Sequence, residues 1–151
     1  LLNDANRHLI NFYRQLQAGL LISFEMANDS DLYYRHRRRF NQIIAEGQAD
    51  TPEAAGLFYY LNRTGYNGLC RFNQSGGFNV PFGRYKTISY TTDFRAYVPV
   101  LAPWQFTAGD FAGLALTADD FIYADPPYDV EFTSTRRRAF AGPIRCGWPN
   151  G

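Results

Sequence analysis

The sequence is poor in residues that form disulfides or bind metals. It contains two cysteines, Cys70 and Cys146, and two histidines, His8 and His36, with no zinc-site spacing among them. Two cysteines make no disulfide framework, which suits a reducing cytoplasm, and the histidines are expected at the surface. The sequence has no signal peptide and no long apolar run. We therefore expect a soluble cytoplasmic protein without membrane or metal partners; a monomer is favoured, although the oligomeric state is left open.

The sequence also lacks a strong charge of either sign. Its formal net charge is +1 over 151 residues, and Lys86 is its only lysine. Any affinity for nucleic acid must therefore come from local patches. One such patch is the basic run 35–39, which is either a solvated helix face or, in a DNA-binding domain, a phosphate contact. The chain length and the high aromatic content are typical of one modest globular domain.

Apolar spacing and capping residues predict three helices. The first covers Leu9 to Phe24, and the second covers Asp31 to Glu46. The third has Thr51 as its N-cap and Pro52 at its first position, and it runs through Leu61 towards a stop at Gly65.

Short aromatic and branched runs predict strands at Trp104 to Phe106 and at Phe121 to Ala124. Strands that flank a helical middle suggest a helical insertion in an α/β sheet domain.

An acid, two prolines and a tyrosine close the second of these strands, in the stretch ADPPYDVEF. Prolines hold Asp125 in a stiff turn at a strand's carboxyl end, where open α/β sheets bind ligands. The tetrapeptide Asp-Pro-Pro-Tyr, which includes Pro127, resembles the signature of methyltransferases that act on base amino groups or glutamine amides. The residues fit such a substrate: the Asp125 carboxylate and the carbonyl of Pro126 can each accept one N–H of an amine, and Tyr128 can stack on an extruded base. A surface turn is the plain alternative.

The segment from Tyr60 to Lys86, YLNRTGYNGLCRFNQSGGFNVPFGRYK, interleaves basic and aromatic residues. It predicts a loop and hairpin that present Arg71, Arg84 and Lys86, with Tyr66, Phe72 and Tyr85 between them. This mixture suits phosphate contact with base stacking or insertion. A packed hairpin with solvated charges explains the same pattern equally well.

Together with ADPPY, this segment closely resembles the Dam-type adenine-specific DNA methyltransferases. The resemblance implies methyl transfer from S-adenosylmethionine to the amino group of adenine in duplex DNA, with GATC as the recognised site. It implies that Tyr66 enters the space left by a flipped adenine and that Leu69, Arg71 and Pro81 read base pairs. It further implies phosphate or base contacts by four residues: Asn73, Arg84, Tyr85 and Lys86.

Two shorter matches flank the segment. Asp4 corresponds to an acid that bonds the cofactor's ribose, and Asp110 with Phe111 corresponds to a pair that contacts its adenine. The alternatives are a helix cap at Asp4 and a loop acid beside a core phenylalanine. The resemblance implies a partial Rossmann-like methyltransferase sheet in 1–24 and 100–134, with a mostly helical target-recognition domain inserted at 25–99. Asp125 would lie beside both the cofactor and the target amine.

The resemblance is incomplete at both ends of the chain. The family's Gly-rich Phe-x-Gly-x-Gly turn is missing, so we expect this chain to be inactive by itself. After Ser134 the family pattern is lost. One choice of codons for the following residues, read in a frame shifted by one base, would encode a sequence that restores the pattern. Residues 135–151 are therefore interpreted as an out-of-frame tail, with a divergent terminus as the alternative. The rival functions are a non-catalytic DNA-binding fragment and an amino methyltransferase that acts on RNA or protein glutamine.

Overall fold

The computed structural model describes residues 1–125, which fall in two compact units. The first unit is Leu1–Ala115, and the second begins at Leu116. The predictions for Pro126, Pro127 and Tyr128, and for the tail, lie outside the described residues. No helix in residues 1–125 is long and apolar enough to cross a membrane.

Helix α1, Arg7–Gln17, is shorter than the sequence predicted. Asn6 caps it by accepting from the backbone N–H groups of His8 and Leu9. It stops before Gly19, whose φ of +81° is a left-handed value that glycine adopts without strain. The prediction that this helix runs to Phe24 is wrong because the next residues are extended: Ile22 N donates to Thr92 O at 2.8 Å, and Phe94 N donates to Leu20 O at 2.9 Å.

Helices α2, Ser30–Ala45, and α3, Pro52–Thr64, confirm the predicted second and third helices. Asp29 caps α2, and Thr51 caps α3 with Pro52 in its first turn. Helix α3 ends at Thr64, directly before the predicted stop at Gly65.

The main core lies between α2 and α3 and includes part of the segment that follows them. Phe78 and Val80 are fully buried in the same cluster as Tyr33, Phe40 and Leu61. Burial of one such side chain stabilises the fold by about 1.5–3 kcal/mol. The segment that resembles a recognition domain is therefore anchored by its own apolar residues.

A two-stranded parallel sheet joins the two ends of the first unit. Strand β1, Leu2–Asp4, pairs with β2, Phe106–Ala108, with Leu2 opposite Phe106 and Asp4 opposite Ala108. The predicted strand at Trp104 to Phe106 is displaced towards the C-terminus because Trp104 N closes a turn on Leu101 O, at the end of the one-turn helix α4, Val98–Leu101. Helices with a parallel pair are compatible with the predicted α/β class.

The predicted buried strand at Phe121 to Ala124 is wrong. These residues form no strand, and Phe121 and Tyr123 are 93% and 83% exposed. An extended segment becomes a strand only when a neighbour accepts and donates its backbone hydrogen bonds. Residues 116–125, the described part of the second unit, contain no such neighbour.

Candidate functional site

Asp4 and Asp110 lie at the same edge of the small sheet. Asp4 is the last residue of β1, and Asp110 follows β2 after Gly109. Because the strands are parallel, their carboxyl ends meet at one edge, where open α/β sheets bind ligands. Gly109 ties this edge together: its N–H donates to Asp4 O at 3.0 Å, and its carbonyl accepts from Asn3 Nδ2 at 3.1 Å. The structure thus brings together two of the predicted cofactor residues.

Both carboxylates are oriented by local backbone hydrogen bonds. Asp4 Oδ1 accepts from Asn6 N at 2.6 Å, and Asp110 Oδ1 accepts from Ala112 N at 2.9 Å. The helix cap is Asn6, whereas Asp4 holds the capping residue in place. A carboxylate can accept several hydrogen bonds, so these contacts leave acceptor capacity at the edge. Phe111, which opens a short 3-10 turn, is half exposed.

Asp125 is the last residue that the structure describes, and it is exposed. It belongs to the second unit, so its position is described apart from that of Asp4 and Asp110.

The segment Tyr60–Lys86, called the recognition segment below, folds back on the end of α3. Gly65 forms an antiparallel bridge with Phe82. Tyr66 N donates to Pro81 O at 2.8 Å, and Gly83 N donates to Thr64 O at 2.9 Å. These bonds hold the two halves of the segment side by side.

A tight hairpin, 71–79, forms the middle of the segment. Asn73 Oδ1 accepts from Ser75 N at 3.0 Å and from Gly77 N at 2.8 Å, which closes the turn. Arg71 Nε donates to Asn79 Oδ1 at 2.8 Å, and its Nη2 donates to Asn79 O at 3.2 Å. Sequence reasoning missed Asn79; the signal was the Phe-Asn pair that occurs at both ends of the hairpin.

Phe72 corrects one expectation, because it is turned inward rather than presented between the arginines. Its ring stacks on His8, with centroids 4.8 Å apart, and meets Phe78 edge-on at 5.5 Å. His8 is itself buried, which corrects its predicted surface position. Burial, and secondarily the charge of Arg7, lowers the pKa of His8, while Asp50 opposes this shift. The His8 Nδ1 atom is buried without a hydrogen-bond partner.

The predicted base-contact residues form an exposed group on the recognition segment. Tyr66 is 49% exposed and Leu69 is 43% exposed. Tyr66 begins a 3-10 turn and Leu69 follows it; within the turn, Asn67 and Gly68 take left-handed φ values of 53° and 61°. The other predicted DNA contacts are exposed as well: Arg71, Asn73, Pro81, Arg84, Tyr85 and Lys86.

The basic run 35–39 divides into two kinds of residue. Arg37 donates to Val80 O at 2.9 Å and lies 4.8 Å from the centre of the Tyr34 ring. Arg39 makes two hydrogen bonds to Glu53, at 2.7 and 2.9 Å, and these lower the pKa of that carboxyl. Arg35 and Arg38 are exposed and remain available as phosphate contacts.

Within residues 1–125, no group of three or more His, Cys, Asp or Glu side chains is arranged to hold a metal ion.

Comparison with known proteins gives consistent matches. Residues 1–142 match the model of the family described as D12 class N6 adenine-specific DNA methyltransferase. The chain is 39% identical over 139 residues to the DNA N-6-adenine-methyltransferase of Escherichia phage P1, covering 85% of this chain and 18% of that protein. It is 36% identical over 150 residues to the retron Ec67 DNA adenine methylase of Escherichia coli, covering 93% and 52% respectively.

A third relative is the DNA adenine methylase of Escherichia coli strain K12. The identity is 35% over 147 residues, which are 85% of this chain and 48% of that protein. The chain therefore spans about half the length of the retron and K12 relatives and a smaller share of the phage protein.

Proposed function

Because the chain belongs to the D12 class N6 adenine-specific DNA methyltransferase family, we propose that it reads duplex DNA and contributes to methyl transfer from S-adenosylmethionine to the N6 amino group of adenine, at GATC sites. The observation that carries this proposal is the exposed group Tyr66, Leu69 and Arg71 on the recognition segment, in which Asn79 holds the Arg71 guanidinium. An exposed guanidinium in a fixed orientation suits bidentate contact with a guanine edge in the major groove, and apolar side chains from the same segment suit contact with the thymine methyl group.

Arg71 is the proposed reader of guanine. Asn79 holds its guanidinium by two hydrogen bonds, so the plane of the group is set before DNA binds. A preorganised guanidinium loses little side-chain entropy when it donates to the O6 and N7 atoms of guanine. Leu69 and Pro81 are proposed to add apolar contacts to base edges, as the resemblance implies.

Tyr66 is proposed to occupy the space of the extruded adenine. Its ring is half exposed, and it emerges directly after the end of α3. Stacking of an aromatic ring on the neighbouring bases offsets part of the cost of flipping a nucleotide. Asn73, Arg84 and Lys86 are proposed to contact phosphates or bases around it.

The edge of the small sheet fits a nucleoside cofactor. Asp4 and Asp110 offer oriented carboxylate oxygens for hydroxyl and amino groups, and Phe111, a residue that is 50% exposed, offers an aromatic side chain. We therefore assign ribose contact to Asp4 and adenine contact to Asp110 and Phe111. S-adenosylmethionine, when bound, supplies an activated methyl group.

Asp125 is proposed to act on the target amine. The amino group of adenine is a weak nucleophile because its lone pair is delocalised into the ring. An N–H donated to Asp125 and another donated to the Pro126 carbonyl would orient the lone pair towards the methyl group. The carboxylate would also stabilise positive charge that develops on the nitrogen. Pro127 would keep this turn stiff, and Tyr128 would stack on the extruded base.

Binding of the complete 151-residue chain to labelled duplexes tests the recognition part. We expect tighter binding to a duplex with GATC than to one of equal composition without it, and weaker binding to duplex RNA. Equal affinity for all three would overturn the proposal and favour non-specific binding.

Chemistry is tested in a chimera in which this chain replaces the matched segment of the K12 methylase. Transfer of labelled methyl groups to DNA is the expected result. Sequence-specific DNA binding without methyl transfer would favour a non-catalytic DNA-binding fragment. Methyl transfer to RNA or protein instead would favour an amino methyltransferase that acts on RNA or protein glutamine.

A further inference from the structure

One peptide group of the recognition segment is held at both ends. The carbonyl of Gly65 accepts a hydrogen bond from the Tyr85 hydroxyl at 3.1 Å. The N–H of Tyr66, which belongs to the same peptide group, donates to Pro81 O at 2.8 Å. Residues 81–85 therefore hold the plane of the peptide from which the Tyr66 side chain emerges.

Close packing leaves this arrangement little freedom. A Cβ atom on Gly83 would lie 2.4 Å from Tyr85 Cε2, so the Tyr85 ring rests directly on the glycine. A Cβ atom on Gly65 would lie 2.6 Å from Leu61 O. The backbone of Tyr85 is tied as well, because Asn28 Nδ2 donates to its carbonyl at 2.6 Å. The backbone carbonyl and the hydroxyl of Tyr85 are thus both hydrogen-bonded within the protein, and one side of its ring lies against Gly83, although the residue is 37% exposed.

This geometry conflicts with a hydrogen bond from Tyr85 to phosphate. A phenol has one proton, and here it is donated to Gly65 O. Phosphate oxygens are acceptors, so the same hydroxyl cannot bond to them while that contact persists.

We propose that Tyr85 is a positioning residue whose hydroxyl fixes the Gly65–Tyr66 peptide and thereby the angle at which the Tyr66 ring meets DNA. The inference rests on the proposed function, in which Tyr66 fills the space of the flipped adenine. It deepens that function because it assigns Tyr85 a task inside the protein instead of a phosphate contact. Entry of a ring between bases depends on its angle, and an unbraced Tyr66 would reach that angle less often.

The chain contains a matched control for this test. The Tyr90 hydroxyl shares a hydrogen bond of 3.0 Å with Thr64 Oγ1, at the same end of α3. Tyr85→Phe and Tyr90→Phe each remove one phenolic oxygen from this region. Only the first loses a contact to the Gly65–Tyr66 peptide.

The first measurement uses the free 151-residue chain and needs no DNA. Amide hydrogen exchange at Tyr66 N–H reports how firmly the peptide is held. Tyr85→Phe should speed this exchange by about 2- to 10-fold, the effect of one lost hydrogen bond, while Tyr90→Phe should leave it near the wild-type rate. Unchanged exchange in Tyr85→Phe, or equal acceleration in both variants, would overturn the inference.

The second measurement uses a duplex with 2-aminopurine at the target adenine, whose fluorescence rises when the base leaves the stack. Tyr85→Phe should lower the signal and weaken binding by about 2- to 10-fold. In a Tyr66→Ala background, Tyr85→Phe should change neither the fluorescence signal nor the duplex affinity further, because the ring that Tyr85 positions is already absent.

The outcomes separate this inference from the proposed function. If Tyr85→Phe weakened duplex binding by the same 2- to 10-fold in the Tyr66→Ala background, Tyr85 would contact DNA directly. That result would overturn this inference and leave the proposed function intact. A Tyr66→Ala variant that extrudes the base normally would instead overturn the proposed role of Tyr66, while the exchange experiment would still test the brace.

Discussion

At the scale of single residues, His8 links the helical core to the recognition segment. Its ring stacks on Phe72 of the hairpin and lies edge-on to Phe40 of α2. Burial disfavours the charged form of this imidazole, because a buried charge without a partner is costly. A change of protonation at one residue therefore acts on the hairpin that carries Arg71.

The first prediction is a loss of stability at acidic pH that depends on His8. Burial lowers the pKa of His8 below its ordinary value of 6.5 in the folded chain, so the unfolded chain binds this proton first as the pH falls. The free energy of unfolding should fall below about pH 6.5, by at most about 1.4 kcal/mol per pH unit, until the folded-state pKa is passed. Denaturant unfolding of wild type and His8→Leu measures this.

The control is His36→Asn, which removes the other histidine and should keep the acid-dependent loss. His8→Leu should flatten the part of the curve just below pH 6.5. An identical pH curve in wild type and His8→Leu would contradict the assignment.

A second prediction at this scale concerns Arg71. Arg71→Ala should cost about 1–3 kcal/mol of discrimination between a GATC duplex and a duplex with a changed guanine, as for a lost bidentate base contact. Binding of the complete chain to both duplexes measures this difference. Arg35→Ala, an exposed arginine outside the recognition segment, is the control and should keep the discrimination. Undiminished discrimination in Arg71→Ala would remove Arg71 from base reading.

At the scale of elements, the end of α3 and residues 81–85 are held together by hydrogen bonds. Two backbone hydrogen bonds join Tyr66 N to Pro81 O and Gly83 N to Thr64 O. A third bond runs from the Tyr85 hydroxyl to Gly65 O. Two glycines allow this close approach, since each stands where a side chain would strike neighbouring atoms. The position of the exposed turn 66–68 follows from this pairing.

The third prediction is that Gly83→Ala damages this pairing. The new methyl group would lie 2.8 Å from Thr64 O and 2.4 Å from the Tyr85 ring, and the backbone oxygen cannot move cheaply. We expect a loss of about 1–3 kcal/mol in the free energy of unfolding and weaker specific DNA binding. Gly113→Ala is the matched control, because a Cβ at that position meets nothing within 4 Å. Equal stability of the two variants would show that the pairing is looser than the structure implies.

At the scale of the whole molecule, the residues proposed for DNA recognition and the residue proposed to act on the target amine belong to different units. The recognition segment and the edge with Asp4 and Asp110 belong to the first unit, whereas Asp125 belongs to the second. The chain spans about half the length of the K12 relative, so methyl transfer is best measured in the chimera, where that methylase supplies the remaining segments.

The fourth prediction is that Asp125→Asn separates methyl transfer from binding in the chimera. Asparagine keeps an acceptor oxygen but loses the charge that stabilises the developing positive nitrogen. Single-turnover methyl transfer should be strongly slowed, while equilibrium binding of duplex and cofactor changes little. Asp119→Asn, a nearby exposed acid, should transfer methyl groups at the wild-type rate. Near-normal transfer by Asp125→Asn would exclude Asp125 from the mechanism.

Local signals were sufficient for α2 and α3 and for the family. A cap, a first-turn proline and a terminal glycine act within a few residues, so Thr51, Pro52 and Gly65 indicate the ends of α3 correctly. The recognition segment and ADPPY identify the family because their residue order is itself the signal, and the family match bears this out.

Tertiary structure decided what depends on distant partners. Leu20 and Ile22 have spacing that suits a helix or an extended run, and pairing with Thr92 and Phe94 selected the extended one. Phe72 could face solvent or the core, and the His8 ring, far away in sequence, turned it inward. Asp4 and Asp110 lie at one sheet edge because two strands from opposite ends of the first unit pair in parallel. These contacts join residues that are far apart in the sequence. Sequence periodicity is a local property and therefore does not predict them.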